Sequence, residues 1–350
     1  MTFYFGKPAA GLVALPNPLR NITPTNDRAA TVHTSSSGAR QVDLAPRTRR
    51  TFTIGWAWLS PEVFSVLEEF YTGARGPGPF VLLDPGRRNH LTANQSGATS
   101  QTNDATGFVV AAGSGEFVAS SSAPVLRGPR ALRWSLPGTV VSGVLDLTPP
   151  FGLVAFPVPA GTPWTFSGQA TAAGMAPSVT ITPTLSWRRA DGSELSITSG
   201  TPVAVGAGWS AWSVSVAAVP AGALYVCPQL RVAPGLLYAG AGGTDIADWA
   251  SGPARFPMTA GPGPLTARNN RPLILAPAAP TAWGAGSVTV DRAPQVTTDV
   301  VLDQLQLEMF ATPRAFALGT GMPQVSMTAF PETYQILPDR HLTATMVEVA

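Results

Sequence analysis

Glycine and proline, 35 of each in 350 residues, interrupt this chain so often that long helices have little room to form. Short strands joined by turns remain the dominant element, since each needs only roughly four to eight residues between breakers. Disorder is the other outcome of such a composition, but it requires low hydrophobicity. Here 45% of residues are apolar and nine are Trp, so a packed core is expected over most of the chain. The expectation is an all-β protein with one short helix, long enough for two or three domains.

Charge narrows the function classes. The formal charge is only +2 and Lys7 is the sole lysine, so the pI near 9.0 reflects a small imbalance and no basic stripe; sequence-specific nucleic-acid binding is not expected. Cys227, the single cysteine, allows no internal disulfide and reads as a small buried thiol. Met1 to Lys7 lacks a basic region followed by an apolar core, and no apolar run of about 18 residues occurs. A soluble, unexported chain without membrane insertion is expected.

Shorter apolar segments, Gly11 to Leu15 and Ala39 to Leu44, precede Arg49 to Trp58, which alternates with period two. Phe52, Ile54, Trp56 and Trp58 would share one face of a half-buried strand. A helix is predicted over 61–72: Ser60 is its N-cap, Pro61 its first residue, Glu62 lies in its first turn and Gly73 suits a left-handed end. Val63, Phe64, Val66, Leu67, Phe70 and Tyr71 give it a broad apolar face. Glu68 and Glu69, adjacent and divergent on the solvent side, cannot act as a catalytic pair. Gly76 to Pro79 then turns the chain into a second strand, Phe80-Val81-Leu82-Leu83-Asp84-Pro85, ended by proline.

Gln95 to Gly107 reads as a polar linker. Beyond it, strands are predicted at Gly107 to Val110, Ala131 to Leu136, Val140 to Leu147, Trp164 to Gly168, Val179 to Arg188, Trp212 to Val216 and Leu224 to Cys227, the spacing of an antiparallel sandwich or jelly roll. Residues 234–299 form an extended excursion with one short ribbon around Ser287 to Asp291. Val300 to Glu308 closes the sandwich, and Gln324 to Thr328, Thr333 to Ile336 and His341 to Val349 are terminal strands.

The search for chemistry is mostly negative. His33, His90 and His341 lie far apart with no Cys partner, so no metal site is expected and surface or interface positions are. Gly208-Trp209-Ser210-Ala211-Trp212 lacks the final glycine of a nucleophile elbow and precedes a strand, which excludes Ser210 as a nucleophile. Glu116, Asp146, Asp191, Glu194, Asp245 and Asp248 form no recognisable glycosidase pair. No catalytic residue and no cofactor is expected. Sugars stack on exposed aromatic faces. Trp134, Trp164, Trp187, Trp209 and Trp212 fall in or beside strands and read as core; Trp249 and Trp283, in the excursion, are the candidate sugar-binding residues, with anchoring of the loop as the equal alternative. The arginines at 47–50, 87–88, 127–133 and 188–189 read as solvated strand faces.

Three segments carry a resemblance: Pro163-Trp164-Thr165-Phe166-Ser167; Gly208 to Val214 followed by Val219 to Ala223; and Leu302-Asp303-Gln304-Leu305-Gln306-Leu307-Glu308 followed by Ala311-Thr312-Pro313. Through them residues 131–232 and 300–319 resemble the carbohydrate-binding, galactose-binding-like jelly rolls of phage tail proteins. The excursion departs from the usual sandwich. Residues 1–95 and 321–350, with their strand, helix 61–72, Phe80 to Pro85 and the terminal strand from His341, are similar to siphophage distal tail and minor tail proteins. That resemblance implies a split, tail-tube-like β-barrel or sandwich (1–95 and 321–350) carrying an inserted jelly roll (96–320). It further implies a self-associating, hexameric ring at the tail tip of the virion, assembled in the host cytoplasm. Its partners would be the tail-tube protein, the baseplate hub and other minor tail proteins, with host cell-wall glycans as ligands of the insertion. A secreted polysaccharide-binding protein or glycosidase accessory module is the alternative.

Overall fold

The structure, a computed structural model, describes residues 2–18, 24–27, 30–44, 49–99, 105–113, 116–120, 123–137, 143–149, 153–174, 179–232, 255–258, 286–289, 297–334 and 340–349. The chain begins with β1 (Phe3–Gly6), β2 (Val13–Leu15), β3 (Thr25–Asp27), β4 (Ala30–Thr34), β5 (Arg40–Leu44) and β6 (Arg49–Leu59), then α1 (Pro61–Tyr71) and β7 (Phe80–Leu83). In β6 the predicted face is buried at Phe52, Ile54 and Trp56. A register shift against the C-terminal strand then lets Leu59 enter the same core, 1% exposed. The side chain of Trp58 lies outside the described residues.

Helix α1 starts as its sequence dictates, with the Ser60 hydroxyl accepting from the Val63 N–H at 3.5 Å. Gly73 follows its end at φ +81°. Phe64, Leu67 and Phe70 are buried, Phe70 meeting the Phe5 ring edge-on at 5.1 Å. Tyr71, expected on the apolar face, is exposed and stacks on Phe330 at 5.4 Å.

The segment predicted as a polar linker starts inside the fold. Helix α2 (Ala93–Gly97) carries a capping box: the Thr92 hydroxyl accepts from Gln95 N and the Gln95 side chain accepts from Thr92 N, each at 3.1 Å. Gln95 is fully buried, and its Nε2 donates to the carbonyls of Gly107 and Thr148 at 3.1 and 2.8 Å. A polar composition here marks satisfied burial; residues 100–104 lie outside the described residues.

The strands of the sandwich follow, with a separate ribbon of β19 and β20 among them: β8 (Phe108–Gly113), β9 (Glu116–Ser120), β10 (Ala131–Pro137), β11 (Gly143–Leu147), β12 (Phe156–Pro157), β13 (Trp164–Gly174), β14 (Val179–Arg188), β15 (Glu194–Ser199), β16 (Val203–Val205), β17 (Ser210–Val216), β18 (Tyr225–Val232), β19 (Arg255–Met258), β20 (Gly286–Thr289) and β21 (Thr297–Glu308). One sheet runs β17-β13-β21-β10-β9; the other runs β15-β14-β18-β11-β8, with β12 on β18 and β16 on β14. Trp134, Trp164 and Trp187 are fully buried between them, and Trp212 is 3% exposed. Glycines make room for the indoles. A Cβ on Gly168 would stand 2.6 Å from Trp212 Cζ2, and one on Gly143 2.7 Å from Trp134 Cζ2. The ribbon expected near Ser287 is β20, and its partner β19 comes from 255–258.

The chain ends with β22 (Gln324–Ala329), β23 (Glu332–Tyr334) and β24 (Arg340–Glu348). These join the N-terminal strands in one antiparallel sheet, β2-β1-β7-β22-β24-β6-β3, with β23 on β24. Among the described residues, strands β4 and β5 pair only with each other, in a ribbon whose residues 31–43 are all exposed.

A polar pocket on the outer face of the sandwich

Alternation along β13 sends Trp164, Phe166 and Ala170 into the core and Thr165, Ser167 and Gln169 to the opposite face. Antiparallel register then aligns Ser213, Ser167 and Gln306 in one row across β17, β13 and β21, and Ala211, Gln169 and Asp303 in the next. Between the rows β21 carries one extra residue, so that Gln304 and Leu305 together oppose Gly168. Leu305 turns inward, and Gln304 sits in the left-handed region at φ +55°. Asp303 holds this bulge. Its Oδ1 accepts from Gln304 N at 2.7 Å, and its Oδ2 accepts from Leu126 N and Arg127 N, both at 2.9 Å. Burial raises the Asp303 pKa above its ordinary value, against the three backbone N–H groups that favour the charge.

The resulting pocket measures about 410 Å³ and is lined by Ser167, Gln169, Thr201, Ser213, Gln304, Gln306, Arg314 and Phe316, with Trp212 beneath Gly168. Glu308, fully buried, accepts from the backbone N of Arg314 at 2.9 Å, from its Nε, and from Gln306 Nε2 at 2.9 Å. Gln306 Oε1 in turn accepts from Ala317 N at 2.9 Å. The side chains of Ser167, Gln169, Thr201, Ser213 and Gln304 make no hydrogen bond among the described residues, and so present free donors and acceptors to the cavity. Phe316 supplies an aromatic face, with the Arg127 guanidinium 5.4 Å from its ring centroid.

None of the candidates named from sequence is among the pocket's described lining residues. Trp249 and Trp283, with Asp245 and Asp248, are outside the described residues, as are the side chains of His341 and Glu116. Asp146 is engaged by Arg188 at 3.2 Å and Gln229 at 2.8 Å, Asp191 by Ser193 at 2.9 Å, and Glu194 by Ser186 at 2.9 Å. Trp209 is half-buried. Cys227 is buried, and its thiol is pushed up to about 12, first by desolvation. Among the described residues no cluster of His, Cys, Asp and Glu could hold a metal ion, and no helix is long and apolar enough to cross a membrane.

Two expectations need correcting. His90 is not a surface residue: it is 1% exposed, its ring 5.4 Å from that of Trp164, and both ring nitrogens lack a partner among the described residues. Burial, then the charges of Arg87 and Arg314, depress its pKa to about 3. Nor are the arginines uniformly solvated. Arg50 pairs with Glu348, and Arg87 donates to Thr320 Oγ1 at 2.9 Å and Gly321 O at 3.0 Å, because the two chain ends converge there. Arg188 meets Asp146 across the other sheet.

The pocket residues were missed because no single one is distinctive. Their signal is the polar face Thr165, Ser167, Gln169 opposite an aromatic one, and the double polar step Asp303-Gln304 that breaks the alternation of β21.

No protein-family model and no curated protein matches this chain. Among solved structures it is similar to the enzymatically active domain of tailspike protein 4 of bacteriophage CBA120, at 10% identity and TM-score 0.34, over 63% of this chain and 21% of that one. The chain thus spans about a fifth of the tailspike chain's length. It is also similar to TmCBM61 in complex with β-1,4-galactotriose, at 13% identity and TM-score 0.33, covering 64% of this chain and 100% of that one. A third is the CBM22-1-CBM22-2 tandem domain of Paenibacillus barcinonensis Xyn10C, at 9% identity and TM-score 0.35, over 88% of this chain and 78% of that one.

Proposed function

We propose that this chain is a non-catalytic saccharide-binding protein of a phage tail, in which a platform (1–95 and 321–350) carries a sandwich (96–320) that contacts host glycans. The observation that supports saccharide binding is the pocket: free amides and hydroxyls converge beside Phe316, the combination that bonds sugar hydroxyls and receives an apolar sugar face. The absence of catalysis is argued from the same place. Both carboxylates beside the pocket are engaged, Asp303 by three backbone N–H groups and Glu308 by Arg314, so neither is free to act as acid or base. Titration calorimetry of the full chain with host cell-wall polysaccharide tests the reading. Saturable heat that Gln169→Ala weakens about tenfold or more is expected, and silence at millimolar ligand would sink it.

A tail-tip ring, joining tail tube to baseplate hub, is favoured by a separate observation. Among the described residues the platform sheet ends in two edge strands, β2 and β3, with no further strand paired to them. Its β4–β5 ribbon, a unit marginal in water by itself, pairs Val32 with Val42 at 56% and 54% exposure. In a ring these surfaces would be covered by neighbouring copies. Light scattering with negative-stain microscopy should find six-membered rings, alone or on adding tail-tube protein. A chain that stays monomeric in both conditions refutes the ring and leaves saccharide binding standing.

A further inference from the structure

The pocket's lining also bears on the charge of its ligand. Among its described lining residues Arg314 alone is charged, and Glu308 beside it already holds the Arg314 Nε and backbone N. Selective recognition of a carboxylate or phosphate uses an uncommitted guanidinium fork or N–H donors without acceptors beside them; the lining's one guanidinium is engaged, and each of its free donors carries an acceptor of its own. The free groups are of mixed character: each amide of Gln169 and Gln304 presents an oxygen as well as two N–H bonds, and Ser167, Ser213 and Thr201 each present lone pairs with their O–H. A sugar hydroxyl both donates and accepts, so it can satisfy both halves of such a lining. An anion accepts only, and it would face the amide and hydroxyl oxygens without compensation. Arg127, over Phe316, is not part of the lining, and its charge acts on the Asp303 carboxylate, whose ionised form it favours.

A second observation ties the arrangement to a ligand. Gln304 is a non-glycine residue held at φ +55°, a conformation that costs energy and persists only where its surroundings impose it. Asp303 imposes it, and the residue so held turns an otherwise unbonded amide toward the cavity.

We infer that the pocket selects an uncharged saccharide, against uronic, sialylated and phosphorylated sugars. This rests on the saccharide-binding reading above and specifies its ligand class.

The test is a glycan array carrying neutral, uronic, sialylated and phosphorylated saccharides, probed with the full chain and with Gln169→Ala and Gln304→Gly. Glycine accepts the left-handed backbone, so the second variant removes the amide and leaves the bulge intact. The expected result is binding to neutral saccharides alone, little changed from low salt to about 0.5 M and weakened about tenfold or more in each variant. Preferential binding of acidic glycans that fades with salt would overturn the ligand class while saccharide binding survives. Neutral binding unaffected by either variant would overturn the pocket as its site. An array with no bound glycan would remove both this inference and the reading beneath it.

Discussion

The side-chain amide of Asn89 donates to the Leu305 carbonyl at 2.8 Å, tying the segment that leaves the platform sheet to the strand that closes the sandwich. The same side chain donates to Ala317 O at 2.9 Å and accepts from Leu91 N and Leu307 N, each at 3.1 Å, so its bonding capacity is used in full at 3% exposure.

Asn89→Ala would therefore strand four backbone groups in the junction. A loss of about 3 kcal/mol in urea unfolding is expected, since each buried group left unsatisfied costs about 1–3 kcal/mol and water will restore some of them. A loss below about 1 kcal/mol would mean that the junction is wetter than its burial implies.

His90 makes stability depend on acid. Its folded pKa lies at about 3 against the ordinary 6.5, so below pH 6.5 the unfolded chain takes up a proton that the folded chain refuses. The contribution is complete above pH 6.5 and falls by about 1.4 kcal/mol per pH unit toward pH 3. Because neither ring nitrogen has a partner among the described residues, His90→Leu should keep its stability at pH 7 and flatten the acid limb. Urea midpoints from pH 4 to 8 read this directly, and an unchanged slope in the variant would assign the acid loss to other groups.

Glu308 is fully buried and Arg314 is 22% exposed in its side chain. Removing the charge alone, in Glu308→Gln, should cost about 2–3 kcal/mol, somewhat less than for a fully buried pair because Arg314 retains some solvent. The double variant with Arg314→Met should recover part of that loss, and a double-mutant cycle should give about 1–3 kcal/mol of coupling. Additive losses would show that the two side chains act independently.

Gln304→Gly is expected to leave the fold unchanged or stabilise it by about 0.5–1 kcal/mol, relief of the left-handed strain outweighing the added freedom of the unfolded chain. Thermal unfolding checks this. A clear loss would show that the Gln304 side chain supports the bulge and does more than line the pocket.

Much of the local structure was legible. The cap and stop signals of α1 and the inward face of β6 depend on neighbours a few residues away, and the Trp-bearing strands of the sandwich announced themselves by alternation. Where reading failed, composition stood in for burial. Gln95 and His90 look like linker and surface residues because a polar side chain does not say whether a partner or an apolar wall will meet it. At Gln95 partners met it, two carbonyls and the cap; at His90 the indole of Trp164 did.

The sequence by itself determined an all-β chain with one short helix, and it determined which face of several strands would turn inward, because pleat and helix periods are written into consecutive residues. Only the tertiary structure decided which strands would meet. Arg50 and Glu348 pair across 298 positions, and the pocket exists because β17, β13 and β21 lie side by side with an extra residue in one of them. A local period specifies a face and leaves the partner open. That choice is made by the burial and hydrogen bonding of the whole chain at once.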